Sequence, residues 1–116
     1  MTSIRWLAKY RTVNKVFKAL SDPTRRQVLQ LLRRRHMSAG ELADHFPVSK
    51  PTMSAHFAVL MEADLIEAEK VGRSILYRLK MSVLEEALLG FAQTFGWDMK
   101  PQDVRAKARK PARGES

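Results

Sequence analysis

The chain predicts a mainly α fold, α+β in class, in which amphipathic helices flank a single β-hairpin. Three observations carry this expectation. Apolar residues recur at steps of three and four over most of the first 63 positions. Between 66 and 79 the pattern changes to alternation, and helical spacing then returns up to residue 95. A length of 116 residues with 45% hydrophobic content suits one compact domain and a tail.

The first helix runs from Ile4 to Leu20, with Trp6, Tyr10, Val13, Phe17 and Leu20 along one face. The segment SDPTRRQVLQLLRRR restarts the helical pattern. Ser21 or Asp22 can cap it, Pro23 is tolerated in its first turn, and Val28, Leu31 and Leu32 form the expected inner face. Arg33 to Arg35 then read either as a solvated helix end that complements the helix dipole or as a phosphate contact. Arg25 and Arg26 read either as ion-paired or solvated side chains or as contacts to a nucleic-acid backbone. Ser38 and Glu41 stand at capping-box spacing, so a short third helix should run to about Phe46, where Pro47 stops it. Ser49 caps a fourth helix over about 50–63. Ile66 to Leu79 form a two-stranded hairpin turning at Gly72 and Arg73, and a fifth helix from about Ser82 repeats Leu84, Leu88, Phe91 and Phe95. Residues 1–97 are expected to form one domain, and the basic, apolar-poor 98–116 a disordered tail.

Charge and cysteine usage exclude several functions. A formal charge of +9 concentrates polyanions, which points to nucleic acid or anionic lipid as partner. No apolar run approaches the roughly 20 residues of a spanning helix, and the first residues lack the features of a secretory signal, so a cytoplasmic protein without membrane insertion is expected. The chain has no cysteine, which removes disulfides, thiolate metal ligands and a thiol nucleophile together. His36, His45 and His56 are scattered over a loop, the third helix and the fourth, so neither a metal site nor a cofactor is expected. A phosphate-binding glycine loop and a convergent Ser, His and carboxylate set are also missing, and catalysis has no support.

Helix, short helix, tight turn, helix and hairpin is the order of a winged helix-turn-helix. In it the stretch SKPTMSAHFAVLMEADL, residues 49–65, takes the recognition-helix position. If Met53, Phe57 and Leu60 face inward, Pro51, Thr52, Ala55 and Val59 face outward, with Ser54 and His56 at the margins. That outer face carries small or hydrogen-bonding groups where a solvated helix would carry Glu and Lys. Such a surface can approach base edges in a major groove.

The blocks FKALSDPTRRQVLQLL, SAGELADHFPVSKPTMSAHFAVLMEADLI and GRSILYRL together resemble the ArsR/SmtB-type winged-helix transcriptional repressors over roughly residues 14–80. The match is nearest to the metal-free autorepressor type, which carries Ser-Lys-Pro before the recognition helix. The resemblance implies a homodimer joined through its first and last helices, bound to a pseudo-palindromic double-stranded DNA operator, with the wing gripping adjacent DNA. The expected DNA-contact set is Ser38, Ser49, Lys50, Thr52, Ser54, Ala55, His56 and Arg73. The expected dimer contacts are Trp6, Tyr10, Val13, Phe17, Leu84, Leu88, Phe91 and Phe95, since two long apolar stripes exceed what one small core can cover. Where the family's metal sensors place Cys ligands, this chain has Ser38, Gly40 and Ala43. Where others use Asp and His on the last helix, it offers only the adjacent Glu85 and Glu86. Release from DNA is left to an unidentified inducer, a sequestering protein or autoregulation. A winged module for protein or RNA contacts is the alternative reading.

Overall fold

The computed structural model describes residues 4–97, and the side chains of residues 11–97. Trp6, Tyr10 and the tail therefore lie outside the described residues. The described elements, in chain order, are α1 (Ile4–Leu20), α2 (Pro23–Arg34), β1 (Met37–Ser38), α3 (Ala39–Ala43), α4 (Lys50–Glu62), β2 (Ile66–Val71), β3 (Ser74–Leu79) and α5 (Met81–Thr94). Residues up to Lys80 form one compact unit, and a second begins at Met81.

The helices start and stop where backbone polar groups find partners. Asp22 accepts the N–H groups of Thr24 at 2.8 Å and Arg25 at 3.2 Å, and Pro23 follows it at the first helical position of α2. Ser38 and Glu41 close the predicted capping box: Ser38 N–H donates to Glu41 Oε1 at 2.9 Å, and Glu41 N–H donates to Ser38 Oγ at 3.1 Å. The helix they start is shorter than expected, ending at Ala43. His45 and Phe46 continue only as tight turns onto the carbonyls of Leu42 and Ala43.

The sheet has one strand more than the hairpin. β1 pairs antiparallel with β3, Met37 opposite Tyr77, giving the order β1-β3-β2. Two residues between α2 and a capping serine carry no readable alternation, so nothing in the sequence announced this strand. β2 and β3 pair from Ile66 opposite Leu79 to Val71 opposite Ser74, which leaves Gly72 and Arg73 as the two-residue turn. Gly72 has φ +61° whereas Arg73 stays negative, the pattern of a type II′ turn, for which glycine is required at the first position.

The core of this unit draws on every element before α5: Val16 and Ala19, Val28, Leu29 and Leu32, Met37, Leu42, Met53, Phe57 and Leu60, then Leu65, Ile66 and Tyr77. The inner face of α4 is the predicted one, and it packs against α1, α2 and β2. Phe57 stacks obliquely on Tyr77 with ring centroids 4.9 Å apart. Burial holds the Tyr77 phenol above its usual pKa. In α2 the inner residues are Val28, Leu29 and Leu32, and Leu31 is half-buried instead. Residues three and four apart sit on either side of Val28, so Leu29 and Leu31 offer equally wide apolar arcs of about 100°, and only the neighbouring elements decide between them.

A Schellman motif ends α4. Leu65 N–H reaches Leu60 O at 3.1 Å and Asp64 N–H reaches Met61 O at 2.9 Å. Asp64 occupies the left-handed position, φ +62°, where glycine is usual, and its carboxylate accepts a 2.8 Å bond from Lys80 Nζ at the end of β3. That bond holds Lys80 above the ordinary ammonium pKa. Asp tolerates left-handed backbone better than a β-branched residue, for which the conformation costs roughly 1–2 kcal/mol. Asp64→Val should therefore lower the melting temperature by several degrees and Asp64→Gly should change it little; equal melting of the two variants in calorimetry would contradict this account.

Candidate nucleic-acid interface

From Lys50 to Ala58 the outer surface of α4 is small or polar and free of carboxylate. Lys50, Pro51, Thr52, Ser54, Ala55 and Ala58 are exposed, while His56 and Val59 are half-buried. Nothing acidic occupies the first turn of α4, so the positive end of its dipole acts together with Lys50. Two carboxylates close to α4 are both engaged: Asp22, 3.9 Å from His56, caps α2, and Glu62, the last residue of α4, lies 3.7 Å from Lys15.

Two of the expected contact residues have structural duties as well. Ser49 Oγ accepts Thr52 N–H at 3.3 Å and donates its own proton to Thr52 Oγ1 at 2.9 Å. The Ser49 hydroxyl is therefore spent, and the proton on Thr52 Oγ1 is the one left to point outward. Ser38 is half-buried and committed to its capping box, where the Ser38 N–H and the Arg35 guanidinium at 3.3 Å hold the Glu41 carboxyl below its ordinary pKa. His56 stands apart from the others, since its ring Nδ1 faces Arg25 Nη1 at 3.2 Å and Asp22 Oδ2 at 3.9 Å.

The hairpin sets a second charged surface. Arg78, on β3, pairs with both Glu67 and Glu69 across the strand pair and offsets one of the two negative charges of β2. Lys70 and Arg73 are left exposed toward the turn, beside Val71 and Ile75, which are 51% and 44% exposed. The sequence indicated Arg73 but gave no reason to single out Val71 and Ile75.

Arg25 and Arg26 also have a role that neither sequence reading included. Their guanidinium groups turn back to the end of α1, Arg25 onto Lys18 O and Ala19 O at 3.0 and 2.8 Å, and Arg26 onto Leu20 O at 2.7 Å. A basic residue three or four positions after a helix N-cap can reach the carbonyls of the preceding helix, and that was the missed signal.

The expected dimer residues are only partly covered. On α1, Val16 and Ala19 are buried, whereas Val13, Phe17 and Leu20 on the adjacent arc are half-buried. On α5, Leu84 and Leu88 are half-buried and Phe91 stacks at 4.9 Å on Phe95, just past the helix end, where Phe95 and Trp97 are more than half exposed. Among the described residues no three His, Asp or Glu side chains are grouped to hold a metal ion, and no helix is long and apolar enough to cross a membrane.

A short third helix, a helix with one bare polar face and a paired hairpin define a winged helix-turn-helix. The comparisons agree: a helix-turn-helix domain model matches residues 20–69. The chain is similar to the transcriptional repressor SdpR of Bacillus subtilis (strain 168), 45% identical over 76 residues that span 66% of this chain and 84% of that one. Among solved structures it is similar to an ArsR-like transcriptional regulator from Rhodococcus sp. RHA1, with a TM-score of 0.70, 33% identity, and 90% and 95% of the two chains covered. It is also similar to the homodimeric winged helix-turn-helix DNA-binding domain Mb0332 from Mycobacterium bovis, with a TM-score of 0.67, 28% identity, and 80% and 87% covered. The chain belongs to the ArsR family of winged helix-turn-helix transcriptional regulators.

The capping carboxylates give the fold a defined acid sensitivity. Partial burial of Asp22 pulls its pKa up, but the N–H groups of Arg25 and Thr24 and the neighbouring His56 and Arg25 side chains outweigh this, leaving it below the ordinary value, as Glu41 also is. A carboxyl whose pKa is lowered by folding stabilises the native state above its unfolded pKa, and that contribution disappears as pH falls through the lowered value. Melting temperature should thus be level near neutrality and fall below pH about 4. The double variant Asp22→Asn, Glu41→Gln should fall less steeply in the same series of melts.

Proposed function

We propose that the chain is a homodimeric, sequence-specific DNA-binding repressor that lays α4 in the major groove of a pseudo-palindromic operator and grips the flanking DNA with its hairpin. The observation that carries this reading is the division of α4 into a face buried through Met53, Phe57 and Leu60 and an acid-free face of Lys50, Thr52, Ser54 and Ala55. Family membership and the basic balance of the chain support DNA over a protein or RNA partner. Lys50 meets a phosphate or a guanine edge, Thr52 donates its remaining hydroxyl proton, and the Ala55 methyl lies against the groove floor, suited to a thymine methyl. Arg73 supplies sequence-independent phosphate contact from the wing. Ser38 and Ser49 contribute chiefly by fixing the starts of α3 and α4, close to the backbone they are expected to meet. Relief of repression comes from an inducer or a sequestering protein acting on this dimer.

Dimerisation supplies the affinity, because two half-sites about one DNA turn apart must be held together. Val13 and Phe17 on α1 and Leu84, Leu88, Phe91 and Phe95 on α5 are the apolar side chains offered to the second copy. The homodimeric state of the Mycobacterium bovis relative supports this assignment. Trp6 and Tyr10 extend the same stripe in the sequence.

Ala55→Glu tests the recognition face, since it drives a carboxylate into the groove without touching the buried side chains. Its melting temperature should match the wild type while affinity for a selected duplex falls at least tenfold; undiminished binding would sink the assignment of this face. Arg73→Ala should weaken all sequences alike and reduce the slope of log affinity against log salt by about one charge. Phe91→Glu should sediment as a monomer at micromolar concentration and bind the duplex poorly, whereas a dimeric Phe91→Glu would remove α5 from the interface.

A further inference from the structure

The Arg25 guanidinium is held by two carbonyls of α1, Nε donating to Ala19 O at 2.8 Å and Nη2 to Lys18 O at 3.0 Å. A planar group fixed at two nitrogens has no freedom left at the third. Nη1 stands 3.2 Å from His56 Nδ1. A guanidinium has only donors, so this contact is a hydrogen bond solely when Nδ1 is the acceptor and the ring proton is on Nε2. The competing partner for the same nitrogen, Asp22 Oδ2, is farther at 3.9 Å and already accepts two backbone N–H bonds. His56 lies on α4 one turn from the exposed Thr52 and next to Ala55, with its side chain 16% exposed.

We propose that Arg25 is a positioning residue that sets His56 as a neutral hydrogen-bond donor, so that Nε2–H reads an acceptor on the DNA, either a base edge or a phosphate oxygen. This rests on the DNA-binding reading of α4 given above. Purine N7, guanine O6 and thymine O4 present acceptors in the major groove, and a cytosine or adenine amino group opposite His56 would be rejected. Because the ring carries no charge, His56 adds selectivity without adding to the release of counterions. The corner between α1 and α2 thus takes part in recognition through a residue that need not touch DNA.

The test uses the full chain and a duplex that it selects from a random-sequence pool. His56→Gln places an amide nitrogen near Nε2 and should keep affinity within a few-fold. His56→Asn, which reproduces only the Nδ1 side, should lose about tenfold with an unchanged salt slope. Equal losses in the two variants would overturn the proposal. Long-range ¹⁵N correlation on the His56 ring should show protonation at Nε2, and a ring protonated at Nδ1 would overturn it independently. Arg25→Met removes two helix-end bonds and should melt lower, so its effect is measured below its melting range and in combination. If Arg25 acts through His56, adding Arg25→Met to His56→Ala should cost no further selectivity, whereas additive losses would show that it does not. Loss of the His56 effect on duplexes carrying 7-deazapurine, 2-aminopurine in place of guanine, or 5-methyl-2-pyrimidinone in place of thymine assigns the acceptor to a base N7, O6 or O4, and loss on methylphosphonate duplexes assigns it to the backbone; survival of the effect on all four overturns the direct contact. A wild-type chain that selects no duplex at all would instead refute the DNA reading itself.

Discussion

Every helix leaves polar groups unpaired at its ends, and the corner at residues 18–26 is where this chain resolves that constraint for two helices together. The carbonyls of Lys18, Ala19 and Leu20 are met by Arg25 and Arg26, and the first N–H groups of α2 are met by Asp22. The two guanidinium groups tie the start of one helix to the end of the other. The angle between α1 and α2 follows from those bonds, and α4 packs against both helices. A recognition helix can present a bare face only if its other face is anchored, and Met53, Phe57 and Leu60 are buried against the elements that the corner joins.

Much of this was legible in the sequence because the relevant signals are local. Capping residues, Pro23, the capping box and the Gly72 turn act over two to four positions, and all four stand where the spacing indicates. The inner face of α4 was equally readable, since Met53, Phe57 and Leu60 have no competing apolar arc of comparable bulk. The choice of Leu29 over Leu31 and the strand at Met37–Ser38 were not readable. Both depend on where the sheet lies relative to α2, information that arises only from tertiary packing. The roles of Arg25 and Arg26 were hidden for a related reason: a long cationic side chain reaches six or seven positions along the chain, beyond any local pattern.

The distribution of charge separates two tasks. Glu67 and Glu69 share Arg78, Asp64 pairs with Lys80 and Glu41 with Arg35, so four carboxylates near the wing and the short helix are engaged by three cations of the fold. Exposed ion pairs of this kind contribute little to stability. Their effect here is to leave Lys50, Lys70 and Arg73 as the local charges that a polyanion meets.

The exit from α4 carries a mechanical consequence. Asp64 turns the chain directly from the recognition helix into β2, and Lys80, at the far end of the returning strand, is bonded to the same corner through both its N–H to Leu65 O at 2.8 Å and its ammonium to Asp64. Both legs of the hairpin are therefore clamped at one point, and its six-residue strands extend roughly 20 Å from it. The assembly behaves as a caliper whose jaws are a helix and a hairpin sharing one hinge. A rotation of a few degrees at that hinge displaces the tip by more than an ångström, so the gap between the two jaws is a quantity that a change at Asp64 can retune without altering any residue on either jaw.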